Sequence, residues 1–157
     1  MVKQVINSMK TSKGFTLNEL QKIVLPSYIA ERYHNDYPDN KFSAKEAFRE
    51  LLKFFWLREK LRRDNIQNVK LSIHPEMREI DDMWHTYILF TKDYEKFCKE
   101  NFGYFIHHIP YSLADKKEML KNRENFLKDT ELFLSYVYDN LGEETLKLWF
   151  ADHFKAN

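Results

Sequence analysis

Only three glycines, Gly14, Gly103 and Gly142, occur in 157 residues. That scarcity constrains the fold more than any other feature. Rossmann and P-loop proteins cradle phosphate with closely spaced glycines, because only glycine lets the backbone approach so near. This chain can build neither loop. Antiparallel sandwiches and barrels need frequent tight turns, many of which require the positive φ that glycine adopts freely. Few such turns are available here, so the chain is expected to be all-α.

The hydrophobic content is compatible with a packed core. Hydrophobic residues make up 43% of the chain and aromatics 16%, with 13 Phe, 9 Tyr and 3 Trp. A disordered chain would be poorer in aromatics and richer in Pro, Gly and Ser. At this length a domain buries roughly 70% of its unfolded surface. The expectation is a compact single-domain bundle of six to seven helices with an aromatic-rich core, over residues 16–157. Residues 1–15 read as an N-terminal leader.

Helix signals punctuate the sequence. Thr16 with Glu19 forms a capping-box pattern before Leu17, Leu20 and Ile23. Pro26 either kinks that helix or starts another running to about Tyr33. Ser43 with Glu46 caps a long amphipathic helix carrying Phe48, Phe54, Phe55 and Trp56 and ending near Arg63. Residues 64–74 connect, with room for a short extended piece at 69–73. Pro75 suits the first turn of a helix to about Phe90. Thr91 reads as a fresh cap, and Gly103 as the stop of a shorter helix. Ser112 starts a long helix expected to reach about Asn140, closed by Gly142. A last helix covers about 143–154.

Charge and cysteine usage bear on partners and compartment. Twenty-five Lys and Arg against 24 Asp and Glu give +1 with His neutral. Such balance argues against nucleic acid, whose binding rests on neutralising phosphates. The basic run Arg58, Lys60, Arg62 and Arg63 is diluted by Glu59 and Asp64 and reads as a solvated helix face. Cys98 is the only cysteine, so no intrachain disulfide forms, which fits a reducing, cytoplasmic setting. Its neighbours suggest a core thiol rather than a nucleophile. No apolar run approaches the roughly 18–20 residues of a membrane span, and the N-terminus lacks a signal-peptide pattern. Oligomeric state is left open.

Chemistry concentrates in EIDDMWHTYILF. On a helical wheel Met77, Ile80, Met83, Trp84, Tyr87 and Ile88 share one face, and Asp82 falls opposite. Asp81 and His85, four residues apart, are stacked neighbours at the edge of the apolar arc. Two readings stay open for this pair. One is a buried structural network, since an unpaired polar group is costly in the core. The other is part of a metal site for Zn or another divalent ion, with further ligands from elsewhere. His107 and His108 are the nearest source. Adjacent histidines in an extended segment point opposite ways, so one of the two is expected to join His85. His34, His74 and His153 read as surface or core residues. The HExxH, CxxC and GxSxG motifs are all absent.

The run IDDMWHTYILFTKDYEKFCKENFGYFIHHIP, residues 80–110, resembles the characteristic block of the glycine-rich domain-containing protein family. Asp81, Trp84, His85, Tyr94, Phe97, Gly103, His107 and His108 match its pattern. ELLKFFWL (50–57) and the helix through Tyr138 to Gly142 with Trp149 extend the likeness over about 20–150. Plant members often carry Trp-His-Thr-His where this chain has Tyr87 in place of the second His. The glycine-rich tail that names the family is missing. The resemblance implies a helical domain and a set of central residues, and no particular reaction. Three functions are weighed on this basis. The foremost is a non-catalytic interaction or regulatory module, in which a protein partner is accommodated. The alternative is a divalent-metal-dependent hydrolase using Asp81, His85 and His107 or His108. The third is a small-ligand or nucleic-acid binder using exposed aromatics and the Arg58–Arg63 run.

Overall fold

The computed structural model describes residues 16–151, and the leader expected over 1–15 lies outside them. Among the described residues the architecture is all-α, as expected: seven α-helices, one 3-10 turn and no strand. The helices are α1 (Leu17–Leu20), α2 (Ser27–Asp36), α3 (Ala44–Arg63), α4 (Arg78–Leu89), α5 (Thr91–Phe102), α6 (Leu113–Lys121) and α7 (Arg123–Trp149). The 3-10 turn, Pro75–Met77, leads directly into α4. The extended piece considered over 69–73 is not a strand.

Capping chemistry sets most of these boundaries. Thr16 Oγ1 accepts the Glu19 N–H at 3.2 Å, but α1 stops after one turn. Pro26 therefore begins a new helix rather than kinking an old one, and occupies the N-cap position of α2. At α3 the Ser43 hydroxyl accepts the Glu46 N–H at 3.2 Å, while the Glu46 carboxylate accepts the Ser43 N–H at 2.8 Å. This reciprocal box satisfies two of the donors a helix start leaves open. Ser112 and Asp115 repeat it at α6. Gly103 closes α5 with φ +81° and gives its N–H to the Lys99 carbonyl at 3.1 Å.

The long helix expected from Leu113 to Asn140 is interrupted. Asn122 leaves helical geometry at φ −106°, ψ 49°, separating α6 from α7. Its amide side chain donates to the Glu118 carboxylate at 2.7 Å, one turn back. Gly142, at φ +85° and ψ 170°, breaks α7 where the sequence expected a stop.

The described residues divide into two compact units, the first from 16–56 plus 79–105, the second from 57–78 plus 106–151. The first unit is built around Phe55, which has no exposed surface. Its ring lies 5.1 Å from Trp84, 5.8 Å from Phe97 and 6.0 Å from Phe102, two of them edge-on. Edge-to-face pairs of this kind add to plain area burial. Cys98 is fully buried in the same unit, as a core thiol should be. The second unit packs Phe133, Val137 and Trp149 with Leu57 and Met77 as buried side chains. Here the ring of His74 stacks on Phe133 at 4.8 Å and meets Phe150 edge-on at 5.6 Å.

Candidate metal centre

Helix α4 is covered over more of its circumference than the wheel implied. Ile80, Met83, Trp84 and Tyr87 are buried, as expected, but so are Asp82 and Thr86 on the other side. The expectation that Asp82 faces outward is thus corrected: only 9% of it is exposed. The cause is the loop before α3. Asn40 donates from its amide to Asp82 at 2.9 Å and to the Tyr33 hydroxyl at 3.0 Å. Glu79 holds the same loop by accepting the Lys41 and Phe42 N–H groups at 2.9 and 2.7 Å. Burial pushes the Tyr33 hydroxyl up to about 12. The Thr86 hydroxyl donates a hydrogen bond to the Asp82 carbonyl at 2.8 Å. Each polar group buried here is therefore hydrogen-bonded, which offsets the cost of desolvation.

What remains open on α4 is a strip carrying Arg78, Asp81, His85 and Leu89, with Asp81 half-buried and the others exposed. The Asp81 and His85 side chains are 27% and 46% exposed, so the pair lies at the edge of the apolar face, partly open to solvent. His85 Nε2 lies 3.7 Å from Asp81 Oδ2. That separation exceeds the roughly 2.7–3.2 Å of a hydrogen bond. It is close to the edge of a metal tetrahedron, about 3.3 Å for ligand bonds of about 2.0–2.1 Å.

His108, half-buried, completes a group of three. One ligand atom from each of Asp81, His85 and His108 lies within 4.8 Å of the other two. His107 is exposed and outside this group.

The other residues of the block serve packing. The Trp84 indole N–H donates to the Tyr94 hydroxyl at 2.9 Å inside the core. Gly103 supplies the left-handed turn that ends α5. Tyr87 lies among Phe48, Tyr94 and Phe97 at ring distances of 5.7, 5.4 and 5.2 Å. Burial raises its hydroxyl pKa, so it stays a neutral core group and not a ligand. His34 is exposed, and His153 falls outside the described residues. His74 is a buried histidine that the sequence did not distinguish from surface positions.

The Arg58–Arg63 run is not a free basic face. Glu59, itself buried, accepts from Arg62 at 2.7 and 3.0 Å and from Arg63 at 2.9 Å. Lys60 pairs with Asp64. None of the helices is long and apolar enough to cross a membrane among the described residues.

A family model described as UCP032817-like matches residues 16–130, a span that includes Asp81, His85 and His108. No curated protein and no solved structure matches the chain.

Proposed function

Since the chain belongs to the UCP032817-like family, we propose that this helical module binds one divalent metal ion through Asp81, His85 and His108. The observation that carries the proposal is the Asp81–His85 pair. It is too long for a hydrogen bond, near the ligand spacing of a metal, and exposed on the one open strip of α4. One carboxylate and two imidazoles form a mixed oxygen and nitrogen donor set suited to Zn²⁺ and related ions. Three protein ligands leave coordination positions for water, the arrangement of catalytic rather than closed structural zinc sites. A metal bound there would polarise that water, and metal-assisted hydrolysis is the reaction class we assign.

A second reading is the interaction module. Trp84, Tyr94 and Gly103 are spent on packing rather than on chemistry, which favours it. The ion would then fix a surface for a protein partner. Under either reading we place the protein in the cytoplasm, with its single cysteine reduced. We further propose that the likeness of residues 80–110 to the glycine-rich domain-containing proteins extends to this ligand set.

The test uses protein without a histidine tag, equilibrated with zinc sulfate and desalted, then assayed for metal. About one zinc per chain is expected, falling below about 0.1 in Asp81→Asn and His108→Ala. Wild-type protein that retains less than about 0.1 zinc would overturn the proposal. If zinc binds but phosphoester and carboxylic ester substrates are not turned over, the interaction reading replaces the hydrolytic one.

A further inference from the structure

The second unit carries a cavity of about 330 Å³, within the range of small-molecule sites. None of Asp81, His85 and His108 lines it, so it is separate from the proposed metal centre. One wall is apolar, from Met119 and Phe126. His74 also lines the cavity, although only 8% of the residue is exposed. Stacking on Phe133 and an edge-on contact with Phe150 fix its ring. Burial lowers its pKa, which keeps the imidazole neutral near pH 7. A neutral imidazole has one ring nitrogen that accepts a hydrogen bond. Among the described residues no protein group hydrogen-bonds this ring. Neither ring nitrogen is sealed from solvent without a partner, so the ring is reachable from the cavity it lines, where a ligand can meet the acceptor.

The charge of the lining sets the ligand class. Asp115, Glu118 and Asp129 supply three carboxylates, and Lys70 is the one cationic side chain among the lining residues. Lys70 already pairs with Asp129 at 2.8 Å. Asp115 accepts from Ser112, and Glu118 from Asn122, in each case through a single carboxylate oxygen. The cavity thus presents two negative charges in excess, an apolar wall and a fixed acceptor.

We propose that this cavity binds a small organic cation, a primary ammonium group carried on an aromatic or branched apolar body. The ammonium N–H donates to the His74 ring nitrogen, the carboxylates supply the counter-charge, and the apolar body lies on Met119 and Phe126. An anion of the same shape is repelled by the acidic rim.

The probe is 2-phenylethylamine, with phenylacetate and 2-phenylethanol as anionic and neutral counterparts, titrated into the full chain by calorimetry and by amide chemical-shift mapping. The amine is expected to saturate at or below about 1 mM with shifts around Ser72 and Asn125, while phenylacetate leaves the spectrum unchanged at about 10 mM. His74→Phe keeps a stacking ring and removes the acceptor, and should weaken amine binding by about tenfold or more. Glu118→Gln, at an exposed position, should weaken it by about threefold without touching the core. His85→Ala should leave it unchanged. Three results would overturn the proposal: no saturation by the amine at about 10 mM, equal binding of phenylacetate, or wild-type affinity in both His74→Phe and Glu118→Gln.

Discussion

His85→Ala separates stability from function at the α4 strip. In a dry site the substitution would cost about 1–3 kcal/mol, because a buried carboxylate would lose its partner. The structure instead places His85 at 46% and Asp81 at 27% side-chain exposure, 3.7 Å apart. Even with the ring protonated, Coulomb attraction across that gap in water is about 1 kcal/mol. Side-chain ordering and salt reduce it, and exposed pairs at this helical spacing contribute about 0.3–0.5 kcal/mol. For a chain of this size about 0.5 kcal/mol corresponds to a melting shift of about 1–2 °C. Zinc affinity should behave very differently. Outer partners of a metal site are worth about 10–100-fold, so loss of a direct ligand should cost about a hundredfold or more. The assay is a pair of measurements on one protein: thermal melting by circular dichroism without metal, and zinc titration by calorimetry. A melting loss above about 5 °C together with unchanged zinc affinity would return His85 to a structural role and exclude it as a ligand.

Other perturbations probe the fold that holds the site. Phe55→Ala removes the ring at the centre of the first unit's aromatic cluster and should cost about 3–5 kcal/mol in urea unfolding; a loss under about 1 kcal/mol would contradict the packing described. Both Gly103 and Gly142 have positive φ and no atom within 4 Å of an added Cβ, so alanine tests backbone strain alone. Gly103→Ala should cost about 1 kcal/mol and Gly142→Ala more, because φ +85° with ψ 170° is a region almost confined to glycine; the reverse order would be inconsistent with these angles. The Glu46 carboxyl is held below its ordinary range by the Ser43 N–H and then its hydroxyl, and the Asp115 carboxyl by the Ser112 hydroxyl and then its N–H. A depressed carboxyl stabilises the fold fully above its unfolded pKa and loses that contribution as pH falls through the folded value. Amide protection in the first turns of α3 and α6 should therefore decline below about pH 4, and constant protection down to about pH 2 would argue against the capping boxes.

Local rules explain which of these features could be read in advance. Ser43 with Glu46, Pro75, Gly103 and Gly142 act through bonds or dihedral angles within a few residues, so the sequence marks them directly. The Asp81–His85 neighbourhood follows from helical spacing alone, and the split between His107 and His108 from the alternation of an extended segment. Three features depend on distant chain. Asp82 is buried because Asn40, 42 positions earlier, is placed against it, and no wheel of α4 contains Asn40. His74 is buried by Phe133 and Phe150, which lie far downstream. The exposure of His85 is likewise set by what covers the rest of the helix. The break at Asn122 is weakly encoded, since KNREN contains neither glycine nor proline.

The most direct test of the metal assignment is anomalous diffraction from crystals soaked in zinc and measured on either side of the zinc edge. One strong peak is expected about 2.0–2.2 Å from an Asp81 carboxylate oxygen and from His85 Nε2, with His108 as the third protein ligand. Zinc found only at His34, His74 or His107, or no peak beside Asp81 and His85, would contradict it.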